Sequence, residues 1–112
     1  MPEERSPAGA GFFASALLPL FHEPARLAIL SALAPAEYVD FSTLLRLTGL
    51  SKSALSKHIA VLQEKGVVAV HQIVSDKRGR RIVVTDQGRA DFNAYLNTLE
   101  NMVRSVRGRG GD

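Results

Sequence analysis

The apolar positions change period near the middle of the chain. Leu55, Ile59 and Leu62 fall at i, i+4 and i+7, which lays one apolar stripe along a helix, and Val67, Val68 and Val70 then open a run of β type. Ser51 stands where a hydroxyl can accept an orphan amide of the helix's first turn. Gly66 stands where the helix must end, since glycine turns left-handed without a Cβ penalty, and Lys65 suits the negative helix terminus. The face opposite the stripe carries Lys52, Ser53, Ser56 and Lys57, with Ala60 one turn further on. Upstream, Phe41 to Thr48 reads as a shorter helix whose apolar residues are Leu44, Leu45 and Leu47, and Thr48-Gly49-Leu50-Ser51 joins the two.

Helix, short Gly-containing turn and second helix form the helix-turn-helix pattern. The second helix presents short or cationic side chains on its free face, so that face can press into a DNA groove, and hydroxyls, lysines and helix N-termini are groups that phosphates and base edges accept. An ordinary helical hairpin with solvated lysines fits the same stretch, so the flanking segments decide between the two.

Those segments follow a recognisable order. Residues 1–11, rich in Pro, Gly, Ala and Glu, read as a flexible arm. Phe12 to Leu18 can form a helix, with Phe21 beyond Pro19. Pro24 reads as an N1 proline opening a helix that runs to about Leu33 and ends at Ala34-Pro35. Tyr38 and Val39 suggest a very short strand, and Asp40 or Ser42 caps the helix after it. Past the second helix of the pair, Val67 to Val74 and Arg81 to Thr85 read as strands of a hairpin whose polar tip runs from Ser75 to Arg80. Lys77, Arg78, Arg80 and Arg81 cluster at that tip, and extended arginines suit a narrow, electronegative minor groove.

A last helix is predicted from Thr85-Asp86 to about Val106. Phe92, Tyr95, Leu99, Met102 and Val106 recur at alternating spacings of 3 and 4, and Leu96 and Val103 widen that seam. A helix of about 21 residues spans about 30 Å, more than a small domain needs to cover its own core. The surplus apolar face calls for a partner, either the same helix or the Phe12–Phe21 segment of a second subunit; the same chain's own segment is the alternative cover. The expected interface is Phe12, Phe13 and Leu17 with Phe92, Tyr95, Leu96, Leu99, Met102, Val103 and Val106. Residues 107–112 read as a Gly-rich tail.

Charge sharpens the picture more than composition does. The chain has 112 residues, 46% of them hydrophobic and 22% charged, which suits one globular domain. The absence of Cys excludes disulfides and thiolate metal sites and fits a reducing cytoplasm. No apolar run approaches a bilayer span, and Phe12–Phe21 lacks the basic flank of a signal peptide. Net charge is +3, unevenly placed: residues 51–85 hold seven basic and two acidic side chains, whereas residues 1–50 hold three basic and five acidic. Positive potential on the second helix and the hairpin is the electrostatic footprint of a nucleic-acid face.

In this order of elements the chain resembles the short members of the MarR-like winged-helix regulators. Leu50 to Ile59 is similar to the family's recognition helix, Leu62 to Val68 to its exit into the wing, and Asp76-Lys77-Arg78 followed by Val84-Thr85-Asp86-Gln87-Gly88 to the wing-to-helix pattern D-x-R and L-T-x-x-G. Val84 replaces the usual Leu. The resemblance implies a mainly α (α+β) winged helix-turn-helix with a two-stranded β wing and a long C-terminal dimerisation helix over 86–106, within a domain at 12–106. It implies a homodimer on a pseudo-palindromic operator in double-stranded DNA, with Ser51, Lys52, Ser53, Ser56, Lys57 and His58 at the major groove, Lys77, Arg78, Arg80 and Arg81 at the wing, and Asp76 bracing a wing arginine. The chain is too short for the extended helices that frame an effector pocket in the full-length family.

Other chemistry finds little support. His22, His58 and His71 are too far apart in sequence for a local metal site, and no Cys assists them. For His58, contact with phosphate and packing against the first helix are both open. No dinucleotide loop, no G-x-S-x-G elbow and no carboxylate pair in an apolar setting occurs, so neither enzyme chemistry nor a cofactor is expected. Two other readings stay open. One is a winged-helix module that binds protein through its last helix. The other is a sensor with a small-molecule effector among Phe13, Leu17, Phe21, Tyr38, Tyr95 and Leu99.

Overall fold

A computed structural model describes residues 18–73 and 79–110. Over these the elements are α1 (Leu18–Phe21), α2 (Pro24–Leu33), β1 (Val39–Asp40), α3 (Phe41–Thr48), α4 (Lys52–Glu64), β2 (Val68–Gln72), β3 (Arg80–Val84) and α5 (Asp86–Gly110). The predicted arm, the residues Phe12, Phe13 and Leu17, and the hairpin tip with Asp76, Lys77 and Arg78 lie outside the described residues.

Helix limits follow the local chemistry. α2 opens on Pro24 at its first position, and the Glu23 carboxylate accepts the Arg26 amide at 2.9 Å. α3 ends at Gly49, whose φ of 71° is left-handed. Thr48 and Ser51 bracket that turn: the Thr48 hydroxyl donates to the Leu44 carbonyl at 2.9 Å, and Ser51 Oγ accepts the Ala54 amide at 3.1 Å. α4 ends at Gly66, with φ of 77°, which turns the chain into β2.

The sheet has three antiparallel strands in the order β1-β3-β2, with Val39 opposite Ile82 and Val70 opposite Ile82 on its other side. The two predicted strands of the hairpin are therefore paired, and the short strand at Val39 adds a third strand beside β3. Ile82 is fully buried beneath it, together with Leu30, Leu33, Leu44, Leu55 and Leu62 from the helices. Burial of each such side chain stabilises the fold by roughly 1.5–3 kcal/mol.

The join between β3 and α5 explains the T-x-x-G pattern. Thr85 Oγ1 accepts the Gly88 amide at 2.9 Å, capping α5, and donates to the Gly66 carbonyl at 2.6 Å. A Cβ on Gly88 would run into the backbone of Val67, so only glycine lets the helix start this close to the exit of α4. α5 then runs 25 residues, about 37 Å at the standard rise, and extends past the predicted end at Val106 into the predicted tail.

α5 is not one continuous interface. Phe92 and Tyr95, expected on the dimer seam, are core residues of their own chain. Phe21 meets both, with ring centroids 5.6 Å from Phe92 and 5.4 Å from Tyr95. The short α1 brings Phe21 there because Arg26 holds its end, donating from Nε to the Leu20 carbonyl at 2.6 Å. Phe21 and Tyr95, two of the residues envisaged around an effector, are fully buried against each other, and Tyr38 lies elsewhere, under Arg81.

Candidate nucleic-acid interface

α4 buries Leu55, Ile59 and Leu62 and turns Ser53, Lys57 and Ala60 outward. Lys52 is exposed at its first turn and Ser56 is half-buried on the flank. Ser51 remains exposed, but its hydroxyl is engaged as the cap. The remaining first-turn amides form the positive end of the helix dipole, which favours an anion.

His58 departs from its expected place. It is half-buried, and its Nδ1 is sealed from solvent with no hydrogen-bond partner among the described residues. Glu23, the N-cap of α2, lies within electrostatic reach of His58. The Glu23 carboxyl lies below its ordinary range, first because the Arg26 amide bonds to it, with a smaller electrostatic contribution from His58. His22, beside Glu23, meets the buried hydroxyl of Tyr95 at 2.9 Å through Nδ1. Burial raises the Tyr95 pKa.

Arg80 and Arg81 are not tip residues. β3 begins at Arg80, and strand alternation sends the two side chains to opposite faces of the sheet. The Arg80 guanidinium lies 4.1 Å over the Phe41 ring. That of Arg81 lies 4.3 Å over Tyr38, with Nε 3.8 Å from Asp40 Oδ1. Arg81 also faces His71 across the β2 register. Stacking on an aromatic face is a strong mode for arginine, and it fixes both cations at the root of the hairpin. Asp40, predicted as a helix cap, makes no cap bond and is turned to Arg81 instead. Sequence reasoning missed these aromatic seats, because residues some forty positions apart meet only once β1 pairs with β3.

The exposed part of the α5 seam is Leu96, Met102, Val103 and Val106, with 71% of Val106 accessible and Leu99 partly covered. An open groove of about 1030 Å³ runs beside it, lined by Asn93, Leu96, Asn97, Glu100, Val103 and Arg104 among others. Among the described residues no group of three or more His, Cys, Asp or Glu is placed to hold a metal, and no helix is long and apolar enough to cross a membrane.

An exposed second helix, a turn held by Thr48 and Gly49, and a strand hairpin rooted in stacked arginines define a winged helix-turn-helix domain. Residues 25–103 match the family described as winged helix DNA-binding domain, and the chain belongs to that family. It is 35% identical over 89 residues to the HTH-type transcriptional regulator YgaV of Escherichia coli (strain K12), covering 80% of this chain and 84% of that one. The transcriptional regulator homologue protein from Pyrococcus horikoshii OT3 shares the fold with a TM-score of 0.79 at 23% identity, over 86% of this chain and 94% of that one. MarR shares it with a TM-score of 0.73 at 18% identity, over 88% and 72% respectively.

Proposed function

We propose that the protein is a sequence-specific DNA-binding transcriptional regulator, a homodimer that represses by occluding its operator. The observation that carries this reading is the outer face of α4, where Ser53, Lys57 and Ala60 stand free above a capped, positive helix N-terminus in a winged helix DNA-binding domain. α4 enters the major groove. The hairpin reaches the adjacent minor groove, with Lys77 and Arg78 beyond the strand ends and Arg80 and Arg81 at its root. Lysine and arginine contacts to phosphate supply most of the affinity. The bare half of α5 pairs with a second copy, whose Phe12, Phe13 and Leu17 complete the seam. Such a protein works where the chromosome is, in the cytoplasm. The relative's designation as a transcriptional regulator supports the regulatory role.

The test is a titration with mixed genomic fragments at two salt concentrations, followed by sequencing of the bound DNA. Enrichment of an inverted repeat with half-sites about one helical turn apart is the expected result. Affinity should fall steeply between the two salts. Absence of binding at low salt would overturn the reading in favour of a protein-interaction module docked through α5.

A further inference from the structure

We propose that Lys57 reads a guanine in each half-site and is the residue through which the protein discriminates between bases. The inference rests on the DNA-binding reading and goes beyond it to the base. Three features of α4 support it. First, the side chains opposite the buried stripe of Leu55, Ile59 and Leu62 are Ser53, Lys57 and Ala60, with Glu64 following in the last turn, all exposed. From Ser53 to Ala60 the helix advances about 10 Å, the rise of about three base pairs. Second, the neighbours of Lys57 on this strip are short, so the helix can approach the groove floor and the lysine stem reaches past them. Third, the Lys57 ammonium has no ion-pair partner among the described residues, whereas the Arg80 guanidinium lies on Phe41 and that of Arg81 on Tyr38 and Asp40. The other cation on this helix, Lys52, sits in the first turn on the flank, where a phosphate is the nearer acceptor.

The chemistry then selects the base. An ammonium has donors and no acceptor. Guanine offers two adjacent major-groove acceptors, O6 and N7. Cytosine offers a donor that repels it. Adenine pairs its single acceptor with a donor, and thymine shields its single acceptor with a methyl group. Neither Asn nor Gln stands on the central strip to read adenine in two-point fashion; Gln63 belongs to the last turn.

The experiment selects binding sites from randomised duplexes with the full-length chain and with Lys57→Ala, then resynthesises the selected site with 7-deazaguanine at the shared guanine. For the wild type we expect a guanine common to both half-sites. Lys57→Ala should lose preference at that position alone, by roughly tenfold, while keeping salt-dependent binding. Its melting temperature should not move, because the side chain is exposed. Lys57→Arg should keep the guanine. Removing N7 should weaken the wild type and leave Lys57→Ala unaffected. A selected site without a shared guanine, or a Lys57→Ala variant that retains it, overturns the inference and leaves the DNA-binding reading standing. A wild-type chain that binds no DNA at low salt overturns both.

Discussion

The two halves of α5 have the same apolar repeat and opposite fates. Phe92 and Tyr95 in the first half are 4% and 0% exposed, while Val103 and Val106 in the second are 50% and 71% exposed. The difference lies outside the helix. α1 delivers Phe21 onto the first half, and the Thr85 and Gly88 contacts press that half against the exit of α4. None of the described residues covers the second half in the same way. A heptad pattern thus specifies an apolar face but leaves open whether the chain itself or another chain will bury it.

The strongest way to break this comparison is to truncate equivalent positions in each half. Phe92→Ala should cost about 3–5 kcal/mol of unfolding free energy, and Val106→Ala less than about 0.5 kcal/mol when the protein is dilute enough to be monomeric. Denaturant titration of both variants measures the ratio, and equal losses would mean that the second half is covered in the single chain. Next in size, Gly88→Ala should cost about 3 kcal/mol, because the new methyl meets backbone and cannot be relieved by a rotamer change. A variant as stable as wild type would remove this contact as the reason the first half is seated.

Tyr95→Phe isolates the polar part of that seat. It keeps the ring against Phe21 and deletes the bond to His22, so a loss of about 1 kcal/mol is expected. In the second half, Val103→Asp combined with Val106→Asp should leave the unfolding free energy of the monomer within about 0.5 kcal/mol of wild type. It should also halve the mass in sedimentation if that face is a dimer seam; an unchanged mass would remove α5 from the interface. The smallest effect concerns pH. The Glu23 carboxyl is held below its ordinary range by the Arg26 amide. Its contribution to stability is therefore present above the ordinary carboxylate pKa and disappears as the pH falls through the lowered value. Glu23→Ala should flatten that acid limb of the melting curve, and an unaltered limb would show that other carboxylates cause it.

Much of the fold was legible because its signals are local. The bounds of α2 and α3, the cap at Ser51 and the left-handed turn at Gly66 each follow from residues within a few positions of one another. The outward face of α4 was legible for the same reason, since the stripe of Leu55, Ile59 and Leu62 defines its opposite. His58 was less so. Helical spacing puts it on the flank, and only packing decided that its Nδ1 would be enclosed instead of free.

By itself, then, the sequence determined the helix-turn-helix, the strands after it, the long amphipathic helix and the concentration of positive charge on residues 51–85. Periodicity, caps and glycines act through backbone geometry over one or two turns, and charge is additive along the chain. The tertiary structure alone decided that Arg80 and Arg81 rest on Phe41 and Tyr38, that Asp40 serves Arg81 and not its own helix, and that Phe21 claims only the first half of the α5 seam. These contacts join residues tens of positions apart. Each competes with solvent and with other partners of the same chemical type, and only the relative placement of whole elements settles which partner wins.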